Sequence, residues 1–220
     1  MAGRSRGHGA RRKLGTRGQP EESRASILKA AIAEFADYGV AGARTDAIAR
    51  AAKVNKALLY YYFKDKDSLY EAVLDNVFGG LRDRVIPILE SDLPPRQKML
   101  TYLGTYFDYI AANPQFPRVV QAEWMSSGIK GTARMQRVAK EYFSAIMERL
   151  VRVLQEGIKA GDFRPVNPVD FLPSMVAVIV FYFGAAPLLK TVMKIDPLSE
   201  ERIRERRAFV LDFISASLFV

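Results

Sequence analysis

The chain has 220 residues, 49% of them apolar and 26% charged, which suits one or two globular domains with an ample core. It contains no cysteine and a single histidine, His8, so disulfides, thiolate metal sites, a cysteine nucleophile and a Ser-His pair in the folded part are excluded. The formal charge of +9 is unevenly placed. Residues 1–20 carry six basic residues and no acid, residues 21–66 a surplus of two, and the rest a surplus of one, which points to a polyanionic partner at the N-terminal end.

The absence of cysteine fits a reducing cytosol. No apolar h-region opens the chain, and no G-x-S-x-G, Walker A or G-x-G-x-x-G pattern occurs, so neither a leader, a catalytic centre, a cofactor nor a metal site is expected. Residues 1–20 are Gly/Arg-rich and lack helical periodicity. They read as a disordered basic arm that either neutralises phosphates or is simply solvated.

After Pro20 the pattern turns helical. Leu28, Ala31, Ile32 and Phe35 recur at helical spacing, and Gly39 suits the end of that helix. Thr45 is a candidate cap for a short alanine-rich second helix with Ile48, Ala49 and Ala52 on one side. Asn55 is the candidate cap of a third helix, KALLYYYF, and Asp65 of a fourth, expected to run from Lys66 to about residue 90 with a kink at Pro87. Short second and third helices separated by a tight turn make a helix-turn-helix arrangement.

Three consecutive tyrosines in the third helix can then be placed. Counting about 100° per residue from Leu59, Tyr62 and Phe63 fall within about 60° of it and turn inward, while Tyr60, Ala57 and Tyr61 fall on the far side. Lys56 sits at the edge. Two exposed phenols beside a lysine and a small alanine form a contact surface. Asn55 is a cap first and a contact second. For Thr45, a cap alone and a cap that also binds phosphate stay equally open. Tyr60 and Tyr61 read as phosphate and base contacts or as solvated tyrosines, and Lys66 as a contact or a surface lysine.

The run TDAIARAAKVNKALLYYYFKDKDSLYEAV, residues 45–73, resembles the DNA-binding half of TetR-type one-component repressors. The shared positions are the threonine opening helix two, Ile-Ala, Ala-x-Val, a small polar cap, Leu-Tyr, Phe, and a Lys-[Asp/Glu]-x-Leu start to helix four. Ala57 and Leu58 depart from the commonest residues there, which leaves base preference open. The resemblance implies DNA contacts from Arg44, Thr45, Asn55, Lys56, Ala57, Leu58, Tyr60, Tyr61 and Lys66.

Beyond it, residues 96–112 carry apolar residues on two sides, the stripe of Met99, Tyr102, Tyr106 and Tyr109 opposing that of Leu100, Leu103, Phe107 and Ile110. Such a helix is either a central core helix or one side of a cavity. Phe116, Val120 and Trp124 follow, then an amphipathic helix over about 132–160. Tyr102, Tyr106, Trp124, Tyr142 and Met175 are the candidate effector residues, with Glu123 as the charge that reaches inward to select a cationic or hydroxylated ligand. Residues 171–189 contain no charge, close to the length of a membrane span. Pro173, Ser174, Gly184 and Pro187 argue against a span, and a core or subunit interface is the other home for such a helix.

These readings combine into an all-α chain: a basic arm (1–20), a three-helix helix-turn-helix domain (21–67) and a larger effector-binding and dimerisation domain (68–220) of about nine helices. The resemblance implies a cytoplasmic homodimer, nucleoid-associated when bound, that pairs through its last two helices, about 169–193 and 199–220. It implies a non-enzymatic regulator, released from a palindromic operator by a mostly apolar small molecule. The reading from another class is a ligand-independent DNA-compacting protein; an enzyme with a DNA-binding appendage lacks the side chains it needs.

Overall fold

The computed structural model describes residues 19–127 and 132–220, so most of the expected arm lies outside the described residues. Helix α1 (Gln19–Gly42) begins inside the stretch assigned to that arm, with Pro20 and the acidic Glu21 and Glu22 in its first turn. Ile27, Ala31 and Phe35 are its buried stripe. Gly39 breaks the helical path with φ 63° and ψ −179°, a conformation open to glycine.

The next three helices are short because each is stopped by local chemistry. Helix α2 (Thr45–Ala51) ends with Lys53 in the left-handed region (φ 57°), the Lys53 N–H on Arg50 O and the Val54 N–H on Ala49 O. That pair of bonds is a Schellman ending, formed here without glycine. Helix α3 (Lys56–Tyr62) starts where Asn55 Oδ1 accepts the Leu58 N–H at 2.7 Å. Helix α4 (Lys66–Leu74) starts where Asp65 Oδ1 accepts the Ser68 N–H at 2.7 Å.

From α4 the chain continues through a π turn, Asp75–Gly79, into α5 (Gly80–Glu90) without a gap. Pro87 lies inside α5, but the departure from the α repeat comes earlier, at the π turn, and not at the proline. Helix α6 (Pro95–Ala112) is central, packed on α5, α9, α10 and α12. Helix α7 (Phe116–Ser127) packs on α1, linking the N-terminal helices to the body. Thr132 caps α8 (Ala133–Val138), which passes through a second π turn, Ala139–Phe143, into α9 (Ser144–Ala160). Gly161, at φ 78°, ends α9.

The C-terminal helices are α10 (Pro168–Gly184), α11 (Ala186–Met193) and α12 (Glu200–Leu218). The single helix expected over 169–193 is therefore two, bent by 64° at Ala185. Pro187 explains the break: it lacks an N–H and tolerates only the first turn of a helix. No single described helix is long and apolar enough to cross a membrane; the bent pair α10–α11 passes only jointly. Among the described residues there is no strand, only an isolated bridge between Phe163 and Phe219, so the all-α expectation holds.

Candidate nucleic-acid interface and effector region

Helix α3 rests on Leu59 and Phe63, both buried against α1 and α2, with Tyr62 half-buried beside them. Tyr60 is 40% exposed and Tyr61 80%. The Thr45 and Tyr60 hydroxyls lie 3.2 Å apart, joining the first residue of α2 to the middle of α3. Thr45 is thus not the cap expected for α2. Arg44 holds that position with no side-chain cap bond, and its N–H donates to Glu34 Oε1 at 3.0 Å. The chain path from Gly42 to Arg44 sets the start of α2 one residue early, which leaves the Thr45 hydroxyl on the outer surface.

Lys56 Nζ lies 3.0 Å from Asp46 Oδ1 and 6.0 Å from the centre of the Tyr60 ring. Their hydrogen bond and opposite charge hold the Asp46 carboxyl below, and the Lys56 ammonium above, their ordinary pKa values. Ala57 is exposed and Leu58 half-buried, while Arg44 is exposed. Lys66 is differently employed: its ammonium donates to the carbonyls of Ala41 (3.4 Å) and Ala43 (3.3 Å) at the end of α1. Thr45, Lys56, Ala57, Tyr60 and Tyr61 therefore share one open face, with Arg44 exposed next to Thr45 in sequence.

The expected effector residues do not gather around one cavity. Tyr102 and Tyr106 are buried in the middle of α6, their rings stacked at 5.9 Å. Tyr142, also buried, donates to Asp75 Oδ1 at 2.6 Å. Trp124 is 53% exposed, so it does not line an interior site. Its neighbour Glu123 does turn inward, yet it is engaged by protein groups: the Tyr70 hydroxyl donates to it at 3.0 Å and Thr132 Oγ1 at 3.5 Å. Met175 lines a separate open groove of about 380 Å³ between α10 and α12, with Phe171, Val178 and Phe213.

Sequence reasoning missed the contact between α4 and α8. Arg134 binds Asp67 (3.3 Å) and Glu71 (3.1 Å), while Arg137 binds Glu71, Asp75 (3.0 Å) and Glu141 (2.7 Å). The signal was present in the acids at 67, 71 and 75, which share one helix face at four-residue spacing, and in arginines three apart at 134 and 137. The two π turns meet beside this network, where Phe78 packs edge-on against Phe143 at 5.2 Å.

A last surface is strongly apolar. Phe181 on α10 is 71% exposed, and Val169, Phe209 and Phe213 are likewise open. On the same side Arg206 stacks over Tyr182 and Phe209, and its Nε is buried without a hydrogen-bond partner among the described residues.

A helix-turn-helix with an aromatic and cationic outer face, carried on a large helical body, defines the class of helix-turn-helix regulators. Residues 27–73 match the model of bacterial regulatory proteins of the tetR family, and residues 95–214 that of the tetracyclin repressor-like C-terminal domain. The chain belongs to the TetR family of transcriptional regulators. It is 30% identical over 176 residues to the HTH-type transcriptional repressor SCO4008 of Streptomyces coelicolor, covering 79% of this chain and 84% of that protein. It is 24% identical over 203 residues to the repressor NicS of Pseudomonas putida, covering 91% and 95%. The crystal structure of HlyIIR, a hemolysin II transcriptional regulator, superposes with a TM-score of 0.63 at 27% identity, over 86% of this chain and 97% of that one.

Proposed function

We propose that the protein is a transcriptional repressor that binds a palindromic operator as a homodimer and leaves it when a small molecule occupies the body. The observation that carries this reading is the open face of α3, where Lys56, Ala57, Tyr60 and Tyr61 are presented together with Thr45. A recognition helix of this kind enters the major groove, with Lys56 and Ala57 at base edges and the hydroxyls and Arg44 at phosphates. Asn55 and Lys66 act through position, the first capping α3 and the second tying α4 to the end of α1. Leu58 contributes its outer edge. Two relatives named as repressors support the sign of regulation.

The division at about residue 67 separates a reading head from a body that responds to the effector. Dimerisation uses the apolar face of α10 and α12, because a monomer rarely leaves so many aromatic side chains in water. Tyr102 and Tyr106 mark the effector site. The basic arm adds sequence-independent attraction to phosphates.

The test is selection of bound sequences from random duplex DNA, followed by binding measured at several salt concentrations. A repressor enriches a two-fold symmetric site and prefers it to random DNA by roughly 10³-fold or more. Equal binding to all sequences at every salt concentration would overturn the reading and favour a DNA-compacting role.

A further inference from the structure

Asp46 is the one acid in the stretch 44–64, which otherwise carries five cations. A carboxylate on a surface that meets phosphates is repelled unless it gains a bond there. Its Oδ1 lies 3.0 Å from Lys56 Nζ, so the second residue of α2 grips the first residue of α3. Lys56 is braced on another side by the Tyr60 ring, 6.0 Å away, and the Tyr60 hydroxyl is in turn held by Thr45 at 3.2 Å. Thr45, Tyr60, Lys56 and Asp46 thus close a circuit between two helix starts. Both members of the ion pair stay open, with 51% of the Lys56 side chain and 57% of the Asp46 side chain exposed.

As a surface ion pair this contact adds little stability. As a shape it is specific, because it sets an acceptor and a donor side by side in fixed order on the open face of α3. The major-groove edge of a G·C pair is the complement: guanine O6 and N7 accept, and cytosine N4 donates beside them. O6 and N4 are themselves hydrogen-bonded, so they stand about 2.9 Å apart, close to the spacing of the ion pair. The donor count fits too. An ammonium has three N–H groups, one for Asp46 and two for O6 and N7, and a carboxylate that accepts from Lys56 keeps lone pairs for N4. An A·T pair offers the ammonium a single oxygen flanked by the thymine methyl.

We propose that Asp46 and Lys56 act together as the reader of one G·C pair in each operator half-site, Lys56 donating to guanine O6 and N7 and Asp46 accepting from cytosine N4. This rests on the operator-binding reading above and deepens it by naming a base pair. Random duplex presents no fixed amino group, so there the carboxylate only repels. Asp46 thereby weakens binding everywhere except at the right sequence.

The test uses the symmetric site enriched from random duplex. Each base pair is changed in both half-sites, and binding of the full-length parent, Asp46→Ala and Lys56→Met is measured. The parent loses about 5- to 100-fold when one G·C pair becomes A·T or is inverted. Asp46→Ala binds random duplex more tightly, yet its discrimination at that pair shrinks by about fivefold or more, and Lys56→Met loses discrimination at the same pair. Methylation of cytosine N4 at that pair removes the donor: the parent weakens by about fivefold or more, and Asp46→Ala is blind to it. Each preference is a ratio within one protein, so a partial loss of fold cancels. Unchanged discrimination in Asp46→Ala, indifference of the parent to N4-methylation, or effects of the two variants at different base pairs overturns the assignment and leaves a plain surface ion pair. An enriched site without such a G·C pair does so too and keeps the repressor reading; no enrichment of any sequence removes both.

Discussion

The hydroxyl of Tyr70 on α4 donates to the buried carboxylate of Glu123 on α7 at 3.0 Å, across 53 positions of sequence. Around this bond Phe35 of α1 meets the Tyr70 ring edge-on at 4.8 Å, and Arg134 of α8 stacks over it at 5.0 Å. One phenol thereby joins the helix that supports the recognition helix to two helices of the body. Tyr70→Phe leaves the carboxylate short of a donor and should cost about 1–3 kcal/mol. Urea unfolding measures it; a change within error would mean that Thr132 and the remaining neighbours satisfy Glu123 unaided.

Helix α3 offers a graded series. Leu59→Ala opens a hole in the reading head and should cost about 2–5 kcal/mol, whereas Tyr61→Ala should stay within about 0.5 kcal/mol of the parent. Tyr62, half-buried, should fall between them. Operator affinity should follow the opposite order among the variants that fold, with Tyr61→Ala the most damaging. A Tyr61→Ala protein that is unstable, or that binds operator normally, contradicts the proposed facing.

Asp46 holds Lys56 back from any anion that approaches. Asp46→Asn removes a carboxylate from the face proposed to meet phosphates and frees the Lys56 ammonium from its ion pair. Affinity for duplex DNA should rise on the order of threefold at low salt and by less at high salt. Filter binding at two ionic strengths decides it, and weaker binding would show that Asp46 orients Lys56 usefully.

Tyr142 provides a pH signature. Burial, then its hydrogen bond to Asp75, raises the phenol from 10.0 to about 12. The folded state therefore holds this proton more firmly than the unfolded chain does. Its contribution to stability is complete below pH 10 and disappears as the pH rises through about 12. Tyr142→Phe should flatten the loss of melting temperature over that window; an unchanged alkaline limb assigns it to other groups.

The face of α10 and α12 predicts an oligomer. A chain of 24.7 kDa should sediment as a dimer at micromolar concentration, and Phe181→Glu with Phe213→Glu should yield a folded monomer with much weaker operator binding. A parent protein that sediments as a monomer would remove the two-fold operator from the proposal.

What the sequence disclosed follows the range of the forces involved. Asn55 and Asp65 were readable because capping is settled within a few residues of chain. Leu59 and Phe63 followed from helical period alone. Thr45 failed as a cap because the start of α2 depends on the chain path from Gly42 to Arg44, which puts Arg44 in the cap position. Glu123 and Trp124 were assigned together although neighbours on a helix face about 100° apart, so one turned in and the other out. The buried Lys98 was invisible, since near a helix start a lysine ordinarily belongs to the surface, and only the neighbouring helices enclose it.

The π turn at Asp75–Gly79 gives the helix one residue more than the α repeat requires at that point. Deleting Asn76 and letting the segment close into regular α-helix would swing everything before it by about 100° around the axis relative to everything after. The azimuth of the DNA-reading head on its body is thus written in a single surplus residue. Because the second wide turn, Ala139–Phe143, meshes with the first through Phe78 and Phe143, that azimuth is clamped from outside the helix as well.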